Sequence, residues 1–382
     1  MIRLKTSTVA ETLRGDFREW LKNNPPPGAV DHSLDSFIDA GRVWQRMLSA
    51  GRWLAVHWPE QYGGRSLDLV SEAVIQEELV RAEAPQLLGL FGLTMVGPVL
   101  IQHGTEEQKA RYLSRILSAE DIWCQGFSEP NAGSDLAAIK TRAVPGKKGY
   151  LVSGQKTWTS FAQIADFCFL LCRTSEEEKK HQGLSYMLVD MKSQGITTRP
   201  LRQMSGDEEF NEVFFDEVFV PSENVVGKPG DGWKIAISTL MYERVILTFA
   251  RQLQSEVALR GMISKYKDHP SEVLKVRLSE EVVKTCAVRA LAYRHLSEYA
   301  EGKTPGPEGS LDKLFWSESF QSLSKLALDF LGPNAACSEN DDEVGADVHR
   351  YLYSRGRTIA AGTSEIQRNI IAERLLGLPR GR

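Results

Sequence analysis

Over the first 120 or so residues, apolar positions recur at helical spacing. SEAVIQEELVRAE (71–83) repeats them every three to four residues, and Gly104 ahead of Thr105-Glu106-Glu107-Gln108 separates two such stretches. Between them WPEQYGGRS (58–66) reads as a turn-rich loop. Near Asp121 the period changes. YLVSGQKTW, ADFCFLLCR, SYMLVDM and NEVFFDEVFV are short β-branched and aromatic runs, parted by turns such as PGKKG and TSEEEKKHQG. After PSENVVGKPGDG the helical period returns over roughly 231–268, 271–302, 309–331, 344–359 and 365–376, stopping at Gly377-Leu378-Pro379. The pattern predicts an α+β multi-domain chain: an N-terminal helical domain (1–120), a middle β domain (121–228) and a C-terminal helical domain (229–382).

Composition narrows the class. At 382 residues the chain exceeds what one hydrophobic core holds. The formal charge of −4 comes from scattered acids and bases, which argues against nucleic acid or an anionic membrane as partner. No apolar run approaches a membrane span, and MIRLKTSTVAETLRGDFREW lacks a signal core while carrying Glu11, Asp16 and Glu19, so a cytoplasmic protein is expected. Cys124, Cys168, Cys172, Cys286 and Cys337 are an odd number without metal-type pairing. Cys168 and Cys172 share one strand face and read as buried free thiols. The seven histidines show no metal-ligand spacing, so no metal is expected.

Four stretches carry candidate chemistry. In CQGFSEPNAGSDLAAIKTRA (124–143), Gly126, Ala132 and Gly133 allow close backbone approach to a flat or phosphorylated ligand, and Ser128 and Ser134 both donate and accept hydrogen bonds. The plain alternative is an ordinary Ser-rich turn. In Gly154–Ser160, Trp158 is either simple core or a lid on an aromatic cofactor, with Ser160 offering a hydrogen bond to its edge. Two such patches in one β domain favour a cofactor.

On the helix WKIAISTLMYERVILTFA, a 100° spacing places Ala236, Leu240, Glu243, Leu247 and Ala250 in one stripe, so a carboxylate stands in an apolar row. Desolvation would raise its pKa towards values useful for proton abstraction; the alternative is a structural ion pair, although the adjacent Arg244 points about 100° away. Lastly, RTIAAGTSEIQRN (357–369) reads as a loop turning into a helix, with Ser364-x-x-Gln367 as a capping box and backbone donors suited to a developing negative charge. Ala360 and Ala361, leading into it, have no functional side chain.

Taken together and in this order, GFSEPNAGSD, GQKTWTS, VPSENVVGKPGDGW and AGTSEIQRN, with WPEQYGG and GTEEQKARYL upstream, resemble the acyl-CoA dehydrogenase flavoenzyme family over nearly the whole chain. The resemblance implies an N-terminal helical domain, a middle β-barrel-like domain and a C-terminal four-helix bundle, with FAD held between the last two. It implies α,β-desaturation of an acyl-CoA thioester: a carboxylate takes the α proton, hydride passes to the flavin, and the electrons go on to an electron-transferring flavoprotein. A homotetramer or homodimer is implied, a hetero-oligomer being the alternative.

Carried over by motif, Ser128 matches the flavin-ring contact with Gln125 and Phe127 beside it, and Ser134 lies near the pyrophosphate and the thioester arm. Trp158 and Ser160 lie against the flavin, Thr363 and Glu365 near its adenosine half. Leu240, Arg244 and Gly362 fall with the substrate.

The chain departs from the family at two places. The usual base is the Glu of Tyr-Glu-Gly-Thr, and here those positions are Ala360-Ala361-Gly362-Thr363. Tyr242-Glu243-Arg244 matches the minority resembling isovaleryl-CoA and long-chain enzymes, which carry the base on a helix before an arginine, so Glu243 is the implied base and the Ala361 backbone N–H the implied enolate donor. The family's Arg-x-x-Phe-Gly and Gly-Gly-x-Gly segments are replaced by YKDHPSEVLKVRL and LGPNAAC, a feature similar to homologues of steroid side-chain and other bulky-acyl degradation. The rival readings are an acyl-carrier-protein thioester dehydrogenase, a flavin monooxygenase on the same fold, and a non-catalytic subunit of a hetero-oligomer.

Overall fold

The computed structural model describes residues 7–27, 34–301, 306–336 and 343–380; the side chains of 34–35, 242–248, 300 and 343 lie outside that description, as does Cys337. Among the described residues five α-helices precede the sheet: α1 (Thr8–Asn23), α2 (Leu34–Ala50), α3 (Leu69–Arg81), α4 (Gly97–His103) and α5 (Glu106–Leu117). Their starts follow local chemistry. Asp68 caps α3 by accepting from Ser71 N–H at 2.7 Å. Thr105 and Gln108 form a reciprocal capping box on α5, each side chain accepting from the other's backbone N–H at 3.2 and 3.1 Å.

Eight strands follow: β1 (Trp123–Gly126), β2 (Arg142–Pro145), β3 (Gly149–Ser160), β4 (Phe167–Arg173), β5 (Leu184–Asp190), β6 (Ile196–Leu201), β7 (Phe210–Pro221) and β8 (Val225–Val226). They form one sheet in the order β6-β7-β3-β2-β4-β5-β8, with β1 parallel to β4. Its core packs Cys124, Val152, Cys168, Leu170, Cys172, Met187, Val213 and Val220. Cys168 and Cys172 do share one face and are buried and free, with burial pushing the Cys172 thiol up to about 12. After the sheet the described residues form five α-helices: α6 (Gly232–Tyr266), α7 (Glu272–Ala300), α8 (Gly309–Leu331), α9 (Glu343–Arg357) and α10 (Ser364–Ile370). Among the described residues no helix is long and apolar enough to cross a membrane.

By contact the chain forms two compact units, one of residues 19–67 and 84–242, the other of 1–18, 68–83 and 243–382. In the first, α5 is tied to the sheet's edge: Gln108 Nε2 donates to the carbonyls of Glu223 and Val225 at 2.8 and 2.9 Å. Tyr112 stacks edge-on against Trp123 and Phe167 beside it.

In the second unit, Ala73 of α3 packs with Phe249, Leu253, Ala292, Tyr293 and Leu296. A buried charge cluster sits alongside. Arg14 donates to Glu77 and Glu78 at 2.6 Å each, and Arg289 and Tyr293 donate to Glu77 at 2.7 and 2.5 Å. Burial alone would raise both glutamate pKa values. The hydrogen bonds and charges of Tyr293, Arg14 and Arg81 at Glu77, and of Arg18, Arg14 and Arg81 at Glu78, outweigh it and hold both carboxyls below their ordinary range.

Candidate active site

The β-domain residues that the sequence singles out come together at the ends of β1 and β3. Thr157 N–H donates to the Ser128 carbonyl at 2.9 Å, joining the loop after β1 to the last turn of β3. Trp158 is not core. Its indole is 59% exposed, touches Phe210 edge-on, and its backbone has φ 58°, where the register with β7 shifts between Lys156 and Thr159. A bulge that forces a tryptophan into the left-handed region and turns its ring to solvent costs free energy, and such outliers concentrate at functional sites. The geometry excludes the simple-core alternative.

β1 and the loop after it carry donors without internal partners. Gln125 Nε2 is buried and unbonded, and neither the N–H nor the hydroxyl of half-buried Ser128 has a partner among the described residues. A buried orphaned donor such as Gln125 Nε2 asks for an acceptor from outside the chain, and the solvent-reachable Ser128 is open to one. Phe127 differs, since its ring is buried against Phe169 and Tyr186 and only its main chain faces the loop. Ser134 is exposed and Gly133 has open space where a Cβ would be, so the turn there admits a bulky ligand. Gly126 is small for another reason: a Cβ would lie 2.7 Å from Cys168 Sγ.

One pair in this region escaped the sequence reading. Lys156 is fully buried, and its Nζ donates to the Phe127 carbonyl and to Glu129 Oε1, both at 2.9 Å. Glu129 also accepts from the backbone N–H groups of Lys140 and Thr141 at 2.7 and 2.8 Å. Burial raises the Glu129 pKa, but the charge of Lys156 and these hydrogen bonds reverse the sign and keep the carboxylate ionised. Counting in twos from buried Val152 puts Lys156 on the inward parity of β3, which was the available signal.

In the other unit the turn before α10 is sharply constrained. Ala361 has φ 56° and Gly362 φ 90° in succession. Their carbonyls are occupied: Gln367 Nε2 donates to Ala361 O at 2.9 Å and Gly362 O at 3.2 Å, and buried Lys313 Nζ donates to Gly362 O at 2.6 Å. The Ala361 N–H has no acceptor among the described residues. Consecutive turn N–H groups of this sort form anion-binding concavities.

The capping box expected at Ser364 and Gln367 is not formed. The N-cap is Thr363, whose hydroxyl accepts from Ile366 N–H at 3.2 Å. Gln367 cannot return to the cap because the two turn carbonyls hold it. Glu365 is exposed, and the hydrogen bonds of its own N–H and of Thr363 keep its carboxyl low.

Residues 240–244 lie on α6, with Ala236 buried and Leu240 half-buried. The side chains of Glu243 and Arg244 lie outside the described residues.

Comparison with known proteins adds an independent line. Domain models match in order: acyl-CoA dehydrogenase, N-terminal domain (7–120), middle domain (124–218) and C-terminal domain (230–376). Acyl-CoA dehydrogenase IpdE1 of Mycolicibacterium smegmatis is 38% identical over 97% of this chain and 95% of its own length. Among solved structures, the Tcur3481-Tcur3483 steroid ACAD superposes with a TM-score of 0.87 at 26% identity, and the ChsE4-ChsE5 complex from Mycobacterium tuberculosis with 0.84 at 28%, each covering 100% of both chains. The helical, β and helical succession is thus the fold the motifs implied. The chain belongs to the acyl-CoA dehydrogenase family, oxidoreductases that act on CH–CH groups.

Proposed function

We propose that this chain binds FAD and desaturates an acyl-CoA thioester between its α and β carbons, passing the electrons to an electron-transferring flavoprotein. The observation that carries the reading is the exposed, left-handed Trp158 beside the unpartnered donors of Gln125 and Ser128, a setting that fits a flat ring with acceptor edges. Gln125, the Phe127 main chain, Ser128, Trp158 and Ser160 would hold the ring, Ser134 the pyrophosphate and the thioester arm, and Thr363 and Glu365 the adenosine half. Bound FAD supplies a two-electron acceptor for hydride from the β carbon.

The remaining chemistry belongs to the chain. Glu243 takes the α proton, with Leu240, Arg244 and Gly362 near the acyl thioester. That proton is far too weakly acidic for an unaided carboxylate, so charge building on the thioester oxygen must be met by a donor already in place. A preorganised donor contributes on the order of 3 kcal/mol to such a step. Ala361 N–H, in a turn whose carbonyls are tied back by Gln367 and Lys313, is free to fill that role without a side chain. The small residues Ala360 and Ala361 leave room for a bulky acyl group, and the likeness to a steroid ACAD supports a ring-bearing one.

A second reading, that the chain works beside an unlike subunit, is favoured by the two-component name of the ChsE4-ChsE5 complex. Native mass with flavin absorbance of the lone chain separates the two assemblies. The function itself is tested by anaerobic titration of the yellow protein with straight, branched and steroid-ring acyl-CoAs. Glu243→Gln should keep its colour and lose flavin bleaching; bleaching at an undiminished rate would sink the assignment of the base.

A further inference from the structure

From the hydrogen bonds that converge on residues 127–129, we infer that Lys156 is a positioning residue for the flavin: with Glu129 it fixes the loop after β1 so that its carbonyls are used inside the protein and its N–H and hydroxyl groups are left for the ligand. The inference rests on the FAD reading above. Three acceptors of the loop are consumed inside the protein. The Phe127 carbonyl takes Lys156 Nζ at 2.9 Å, the Ser128 carbonyl takes Thr157 N–H at 2.9 Å, and the Glu129 carbonyl takes Ala132 N–H at 3.0 Å. What remains is the N–H and hydroxyl of Ser128, with Gln125 Nε2 buried and unbonded three residues before. A segment whose three carbonyls are taken internally leaves its N–H and hydroxyl hydrogens as the groups available to a ligand, which suits the carbonyl and ring-nitrogen acceptors along a flavin edge.

Lys156 sits where one side chain reaches both halves of the cradle. It lies on β3 two residues before Trp158 and four before Ser160, at the start of the register shift that exposes the indole. Its ammonium crosses to the Phe127 carbonyl, so a single buried side chain couples the strand bearing the ring contacts to the loop bearing the donors. Glu129 completes the strut from the far side, gripping the backbone at Lys140 and Thr141. Burial pulls the Lys156 ammonium below its usual pKa while the Glu129 carboxylate opposes that shift, as expected of a buried pair.

The alternative is that the pair serves folding alone, each charge present only to neutralise the other. The two roles differ in what a neutralised pair can do. Apoprotein is prepared for the wild type, Lys156→Met, Glu129→Gln and the double variant Lys156→Met/Glu129→Gln. FAD affinity is read by quenching of tryptophan fluorescence, the bound ring by visible circular dichroism, and the fold by far-ultraviolet dichroism and melting without FAD.

A positioning role predicts that the double variant, which has neither buried charge, melts within a few degrees of the wild type yet binds FAD at least tenfold more weakly. Its flavin dichroism should also be altered, because nothing then holds the Phe127 carbonyl. Lys156→Met should show the same FAD defect with a lower melting point. FAD binding and dichroism restored to wild-type values in the double variant would overturn the inference, as would unchanged binding in Lys156→Met. Wild-type apoprotein that fails to take up FAD would instead defeat the functional reading on which the inference stands.

Discussion

Lys313 Nζ lies 2.6 Å from the Gly362 carbonyl oxygen, a buried ammonium on α8 bound to the second residue of a left-handed turn 49 positions later in sequence. With Gln367 it ties down the two peptide planes that follow Ala361, and so steadies the turn from which the Ala361 N–H projects. Replacing Lys313 with Met leaves Gly362 O with the longer bond to Gln367, at 3.2 Å, and should cost about 1–3 kcal/mol of stability. If Ala361 N–H serves only the enolate, kcat should fall roughly tenfold or more with little change in KM, because the lost interaction belongs to the transition state. Steady-state kinetics beside thermal melting checks both; a rise in KM alone would count against the assigned role of the turn.

The Glu77 and Glu78 carboxylates set the acid limit of the second unit. Their folded pKa values are lowered, so the stability they contribute is present above the ordinary glutamate range and drains away as pH falls through the folded values. Melting temperature should therefore drop as pH falls from about 5 towards about 2. Glu77→Gln leaves Arg14 paired with Glu78 and Arg289 with Glu256 but removes the carboxylate they share, and should cost about 1–3 kcal/mol at neutral pH, measured by urea unfolding.

The opposite sign holds at His295. Its Nδ1 lies 2.8 Å from Asp312 Oδ2, and that hydrogen bond, against the opposing effect of burial, raises the imidazole pKa above its ordinary value. A raised folded pKa contributes stability in full below the unfolded value and loses it as pH climbs through the folded one. Thermal stability should thus decline as pH rises from about 6.5, the ordinary histidine value, through the raised folded one in the wild type. Asp312→Asn keeps an acceptor and removes the charge, so that slope should flatten while the fold survives.

Where sequence and structure diverge, the cause is range. The capping box of Thr105 and Gln108 is legible because both partners lie within one turn. At the last helix two adjacent residues can both cap, and Thr363 wins over Ser364 because Gln367 is drawn away to carbonyls that only the tertiary turn presents. The alternation of β3 identifies it as a strand, but the parity of Trp158 depends on a bulge created by its pairing with β7, which no local pattern encodes. Lys156 reads as a surface residue by type; its partner Glu129 is 27 positions away. The motifs mark the two segments, and only the fold shows the buried pair that joins them.

Trp158 offers the sharpest test of that cradle. In an ordinary strand, alanine is favoured over glycine by roughly 0.5–1 kcal/mol. At φ 58° a Cβ instead costs roughly 1–2 kcal/mol, so the order should invert, with Trp158→Gly apoprotein more stable than Trp158→Ala by about 0.5–1 kcal/mol. Both variants lose the indole that would cover the flavin and should bind FAD severalfold more weakly than the wild type. Relief of backbone strain would then accompany loss of cofactor affinity, which is the trade expected when strain is kept for function. Urea melts and FAD titrations of the two variants decide it: an Ala variant more stable than the Gly one would show that the turn relaxes, and unchanged FAD affinity would remove Trp158 from the site.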